Sequence, residues 1–114
     1  MEIRPGHVRV RYEAREAFYK LQGVVQGGFL AAMLDDAMGP AAFTLLDEGS
    51  FAPTLEMKVS FVRPARAGPV IAEGHVLHQS RRFVHVEGRL TTEDGQLIAT
   101  ATATLVISRQ KEEP

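Results

Sequence analysis

The chain contains no cysteine, which excludes disulfides, a thiol nucleophile and a thiolate-bound metal. Neither sign of charge is in excess: 13 Lys and Arg stand against 14 Asp and Glu, a formal net charge of −1. No feature therefore points to nucleic acid or another polyanion as a partner over a broad surface. The N-terminal stretch M-E-I-R-P-G-H lacks the apolar core of a signal peptide. Repeats, low-complexity tracts and linkers are also missing. These absences predict a cytoplasmic protein of one domain. At 114 residues it is long enough for a real core and short for a deep pocket.

What is present centres on Val25 to Leu46, V-Q-G-G-F-L-A-A-M-L-D-D-A-M-G-P-A-A-F-T-L-L. Two glycines open a segment long enough for a helix of about twenty residues. Phe29, Leu30, Met33, Ala37, Ala41, Phe43 and Leu45 follow no narrow stripe, so the helix is expected to be apolar nearly all round and surrounded by a sheet. Asp35 and Asp36 stand at its middle. In a bilayer each would cost about 2.5–3.5 kcal/mol, which argues against a membrane span. Gly39-Pro40 predicts a kink, and Asp47-Glu48-Gly49-Ser50 a helix end with Gly49 just past it.

Around this helix the period changes to two. H-V-R-V-R-Y from His7 to Tyr12 reads as a first strand, while Glu13 to Gln22 is either a short helix or a loop. Thr54 to Arg63 places Leu55, Met57, Val59 and Phe61 on a buried face, opposite Thr54, Glu56, Lys58 and Ser60. Val70 to Gln79 and Phe83 to Thr92 follow as strands. Leu97 to Ser108 is the last, with Thr100, Thr102 and Thr104 alternating against Ala99, Ala101, Ala103 and Leu105. Pro64 to Pro69 and Glu93-Asp94-Gly95 supply turns, and Arg109 to Pro114 is a charged tail expected to fray. Short connections between long strands imply antiparallel pairing, so the expected class is α+β.

A central helix wrapped by about five antiparallel strands is the hotdog fold. V-Q-G-G-F-L-A-A-M-L-D-D-A-M-G, V-S-F-V-R-P-A-R-A-G and D-G-Q-L-I-A-T-A-T-A-T, in that order, resemble the PaaI-like acyl-CoA thioesterases over roughly Gly23 to Ile107. The resemblance implies that the backbone N–H of Gly27 polarises a thioester carbonyl, with Gly28 beside the substrate. The physics agrees, since glycine lets an acyl group approach and a helix N-terminus carries unpaired donors and partial positive charge. The resemblance also implies that Asp35 is nucleophile or general base. Eight helical residues, roughly 12 Å, separate it from Gly27, too far to attack a carbonyl held there; the resemblance implies that it serves the site of a partner subunit instead. A homodimer or homotetramer is therefore expected. Thr54 would place the water or the carboxylate. No metal or redox cofactor is implied, and coenzyme A enters with the substrate.

Two positions depart from the family pattern. Gln26 stands where a histidine is usual; it can donate to a carbonyl but does not change charge near neutral pH. Lys20 replaces an asparagine or glutamine that commonly supports the carboxylate or thioester. Both features favour an alternative, a non-catalytic acyl-CoA-binding sensor or carrier. Bland readings stand beside the sharp ones. Asp35 could bond to backbone or pair with an arginine at a dimer interface, Asp36 could be structural or face solvent, and Thr54 could be plain strand chemistry. Arg63, Arg66, Arg81 and Arg82 sit at strand ends and turns, where arginine meets either coenzyme A phosphates or water. Phe29, Met33 and Met57 are core first and acyl pocket second. Alternation puts His75 and His78 on opposite faces of their strand, so with His85 they read as surface residues rather than metal ligands.

Overall fold

A computed structural model describes residues 1–15 and 23–109. Its elements are β1 (Glu2–Arg4), β2 (His7–Ala14), α1 (Gly27–Phe43), β3 (Ser50–Phe51), β4 (Thr54–Phe61), β5 (Gly68–Gln79), β6 (Phe83–Thr92), β7 (Leu97–Val106) and β8 (Ser108–Arg109). Six strands form one sheet in the order β1-β2-β5-β6-β7-β4, every neighbour antiparallel. β3 and β8 pair separately. The sheet curls around α1, which packs against β2, β4, β5, β6 and β7. This is the α+β hotdog arrangement. The extra main-sheet strand is β1, which folds back on β2 too briefly to show a periodic signal.

Alternation along the strands builds the core. Val8, Val70, Ala72, Val84, Val86, Leu90, Ala101, Ala103 and Leu105 are buried towards the helix, and Leu30, Leu34, Ala37, Met38 and Ala41 face them. A fully buried side chain such as Leu34 contributes about 1.5–3 kcal/mol. Two glycines set how closely the helix approaches. A Cβ on Gly74 of β5 would stand 2.4 Å from the Ala37 carbonyl oxygen, and one on Gly88 of β6 would stand 2.9 Å from Met38 Sδ. The backbone of α1 thus rests on the bare backbone of β5.

The helix differs from expectation in three ways. It spans 17 residues and ends at Phe43, with Thr44 at its C-cap in right-handed geometry. Gly49, with φ of +82°, serves the turn into β3 instead of the helix end. Finally, one face is not covered by the sheet: Gly28, Phe29, Ala32, Asp35, Asp36, Pro40 and Phe43 are exposed in the single chain.

The register slips at three places, between Leu90 and Thr91 of β6 and at two β-bulges that overturn the expected alternation. Between Thr54 and Glu56 the register slips, so Thr54 pairs with the buried Leu105 while Glu56 pairs with Thr104. Paired residues share a face, so Thr54 points to the helix side, opposite Glu56, Lys58 and Ser60. Leu55, in the bulge, is 65% exposed, and only Met57 and Val59 keep the half-buried positions expected of this strand. A second slip lies between Val76 and His78, with His75 opposite Glu87 and His78 opposite His85. Glu87 and His85 are two residues apart on one face. The inserted residue therefore brings His75 and His78 to the same outer face, correcting the opposite-face expectation. Residues 16–22 and 110–114, with most of the helix-or-loop stretch, Lys20 and most of the tail expected to fray, lie outside the described residues; Glu13 and Ala14 of that stretch continue strand β2, and Arg109 is paired in β8.

Candidate active site at the helix N-terminus and its two aspartates

The helix begins without a side-chain cap. Gln26 occupies the N-cap position with φ −62° and ψ 138°, makes no capping bond through its side chain, and no acidic residue follows in the first turn. Its carbonyl accepts from the amides of Phe29 at 3.0 Å and Leu30 at 3.4 Å. The amides of Gly27 and Gly28 precede those bonds, and among the described residues neither the Gln26 side chain nor an acidic residue of the first turn neutralises the positive end of the helix. Gly27 opens on a cleft of about 590 Å³ lined by Val24, Val25, Leu30, Phe61, Val62, Arg63, Pro64 and Ala65. That volume and mostly apolar lining suit a small-molecule group. A Cβ on Gly27 would meet Phe61 Cζ at 3.0 Å, so the ring can lie there because position 27 is glycine. Gly28 faces open space.

At mid-helix the adjacent carboxylates grip opposite flanks of the sheet. Thr54 Oγ1 donates to Asp35 Oδ1 at 3.1 Å, a contact that the bulge in β4 makes possible. Tyr12 on β2 donates its hydroxyl to Asp36 Oδ2. Burial, then the hydrogen bond to Asp36 and its charge, push the Tyr12 phenol well above its usual value. Among the described residues neither aspartate forms an ion pair with an arginine.

Asp35 and Thr54 are thus brought together, whereas Gly27 is not brought to them. Thr54 and Phe61 stand at opposite ends of β4, and Gly27 packs at the Phe61 end. Arg63 lines the cleft beside Gly27, and Arg66 Nη1 donates to the Gly23 carbonyl at 3.2 Å. Arg81 and Arg82 lie in the β5–β6 turn at the Thr54 end. There the Ile107 amide donates to the Arg82 carbonyl at 2.7 Å, and the Val106 amide to that of Pro53 at 3.0 Å. Gln26 is exposed at the helix start. No cluster of three metal-binding side chains occurs among the described residues. Of the apolar residues, Met33 is buried, Met57 is half-buried and Phe29 is 40% exposed. Tyr12 and Phe61 escaped the sequence reading. Each sits in an ordinary strand pattern, and only the bending of the sheet around α1 gives it a role.

A family model of the thioesterase superfamily matches residues 22–99. The chain belongs to that superfamily. Its fold superposes on a phenylacetic acid degradation-related protein from Ralstonia eutropha JMP134 with a TM-score of 0.84 at 40% identity, covering 89% of this chain and 76% of that one. A Bacillus halodurans protein crystallised with CoA gives a TM-score of 0.85 at 28% identity, covering 90% and 68%. An inferred esterase of Saccharolobus solfataricus is 32% identical over 111 residues, 97% of this chain and 79% of that protein. This member of the thioesterase superfamily is a thioester hydrolase.

Proposed function

We propose that this thioester hydrolase cleaves acyl-CoA at a site shared by two copies of the chain. The carrying observation is a separation. The uncapped amide of Gly27 and the Asp35–Thr54 pair lie at opposite ends of β4, and roughly 12 Å of helix separates Gly27 from Asp35. A carbonyl held at Gly27 is out of reach of the same chain's carboxylate. A two-fold axis setting two α1 helices antiparallel would bring Asp35 and Thr54 of the partner subunit to it. Exposed apolar side chains at Phe29, Leu55, Phe61 and Val62 surround this edge and support a second copy as occupant. The same rotation would carry Arg81 and Arg82 of the partner subunit towards the cleft that Arg63 lines. The CoA-bound relative supports phosphates as their ligands.

In this reading the thioester carbonyl oxygen accepts from the Gly27 N–H, a donor worth roughly 2.7–4 kcal/mol when aimed at a developing oxyanion. Asp35 of the partner subunit takes a proton from water as the water oxygen bonds to the carbonyl carbon. The C–S bond then breaks, and the CoA thiolate leaves and regains the proton. Direct attack by the carboxylate, followed by hydrolysis of the anhydride, gives the same products. Gln26 stands close enough in sequence to assist the carbonyl.

The test is thiol release from aryl- and alkyl-CoA esters by wild type and Asp35→Asn. Asparagine keeps an acceptor for Thr54 but cannot take a proton. We expect kcat to fall at least about a hundredfold with the assembly intact, a loss of about 2.7 kcal/mol. Equal turnover by both proteins would remove Asp35 from the reaction. Saturable binding without turnover by either would favour the acyl-CoA sensor or carrier that Gln26 makes conceivable.

A further inference from the structure

We propose that Tyr12 is a positioning residue: by holding Asp36 it fixes the fine rotation of α1 that keeps Asp35 on Thr54. The inference rests on the reading of Asp35 as the reacting carboxylate. Asp35 and Asp36 are chemically identical neighbours about 100° apart around the helix. One is held by Thr54 of β4, the edge strand, and the other by Tyr12 of β2, near the opposite edge. Both partners stand on the inner face, since Tyr12 pairs with the buried Val70 and Thr54 with the buried Leu105. The helix is therefore tied on both flanks at the same turn.

The magnitudes show why two ties matter. Leu34, Met38 and Ala41 are fully buried and exclude any large rotation. A small one remains, because the closest backbone contact is with Gly74, which has no side chain to interlock. At the helix's outer radius of about 5–6 Å, a turn of roughly 10° moves a carboxylate by roughly 1 Å. That is enough to break the Asp35–Thr54 hydrogen bond, which at 3.1 Å is already long. A displacement of about 1 Å can cost a reaction about a hundredfold. Either tie alone leaves the helix free to turn through the small arc that the core allows; the two together hold it from both flanks.

Tyr12→Phe keeps the ring and deletes the donor. Its kcat on the esters cleaved by wild type is expected to fall about tenfold, with KM within about twofold, because the group lost touches no substrate. Asp36→Ala should fall equally, and the double variant no further. Asp36→Asn, whose side-chain carbonyl still accepts from Tyr12, should restore kcat to within about twofold of wild type. Full kcat in Tyr12→Phe, or a loss in Asp36→Asn equal to that in Asp36→Ala, overturns the proposal. If Tyr12→Phe fails to fold, the exposed Asp36 carries the test through its two variants.

A second readout needs no turnover. In protein labelled with carboxyl-¹³C aspartate, the Asp35 resonance, identified by its loss in Asp35→Asn, should move in Tyr12→Phe and Asp36→Ala and stay in place in Asp36→Asn. A tyrosine that only packs would leave it unmoved, and that outcome overturns the proposal. Wild type inactive on every ester would overturn the functional reading instead, and the resonance would then decide alone.

Discussion

On its inner side α1 presents Leu34, Ala37, Met38 and Ala41, all fully buried, and lays its backbone on Gly74. On its outer side it presents Gly28, Phe29, Ala32, Asp35, Asp36 and Pro40, all exposed. The inner side is fixed by volume, with no room for an added carbon. The outer side is fixed by two directional hydrogen bonds and has room to spare. One helix thus combines a rigid mount with a face that, in the proposed dimer, would carry the chemistry and meet its symmetry mate. The first side should respond to size, the second to donors, acceptors and charge.

The largest effect should come from the inner side. Gly74→Ala puts a methyl 2.4 Å from the Ala37 carbonyl oxygen, where both neighbours are backbone and cannot turn aside. A loss of about 3 kcal/mol, at the upper end for overpacking, should appear as a lower urea midpoint. Gly88→Ala meets the flexible Met38 thioether and should cost about 1 kcal/mol. If the two substitutions cost the same, the helix does not rest on β5 as described.

How much of this was legible before the structure depends on which side of the helix is considered. The long apolar segment, the antiparallel strands and the buried alternation of Ala99, Ala101, Ala103 and Leu105 follow from composition and period, because burial is what those patterns record. Asp35 stood out because a carboxylate in so apolar a run needs a reason. Its contact with Thr54 was not legible from alternation, which turns Thr54 outwards; one inserted residue in β4 turns it back. The same kind of slip in β5 moved His78. Bulges leave almost no trace in composition, yet each reverses the face of every residue beyond it. Tyr12 was hidden for another reason: its partner, Asp36, lies on the helix that the curved sheet wraps, a relation no local pattern encodes.

On the outer side the next effect concerns the edge strand. Leu55, 65% exposed in the bulge of β4, is placed by the two-fold reading at the contact between copies. Leu55→Lys should weaken self-association about tenfold, as removal of a moderate interface contact does, and activity should fall with the dimer at low protein concentration. Sedimentation velocity read beside thiol release checks this. A variant that stays dimeric would move the interface away from β4.

Gly27→Ala sharpens the comparison at the helix start, where the cleft is open but one neighbour is close. The new methyl would lie 3.0 Å from Phe61 Cζ, the far end of a flexible side chain, so the ring can shift at little cost in stability. The amide donor survives, but the methyl occupies the approach to it. We expect kcat/KM to fall about tenfold, or about 1.4 kcal/mol, with the urea midpoint hardly moved. A stability loss as large as that of Gly74→Ala would show that the N-terminus is as tightly mounted as the middle of the helix.

The smallest effect is the response of the Tyr12–Asp36 tie to alkali. Burial and then Asp36 raise the Tyr12 phenol above its usual value, whereas in the unfolded chain it titrates near its ordinary value of about 10. The folded state therefore keeps this proton to a higher pH than the unfolded state does. Where the unfolded state binds fewer protons, stability falls as pH rises. The contribution of this pair is thus complete below about pH 10 and is lost above it, as the folded phenol approaches its own titration. Phenylalanine has no such proton. Between about pH 9 and 11 the urea midpoint of wild type should fall more steeply than that of Tyr12→Phe, while the two slopes coincide near neutrality. Parallel slopes through the alkaline range would mean that Asp36 does not hold the tyrosine hydroxyl, and the outer face of α1 would then be tied to the sheet on one flank only.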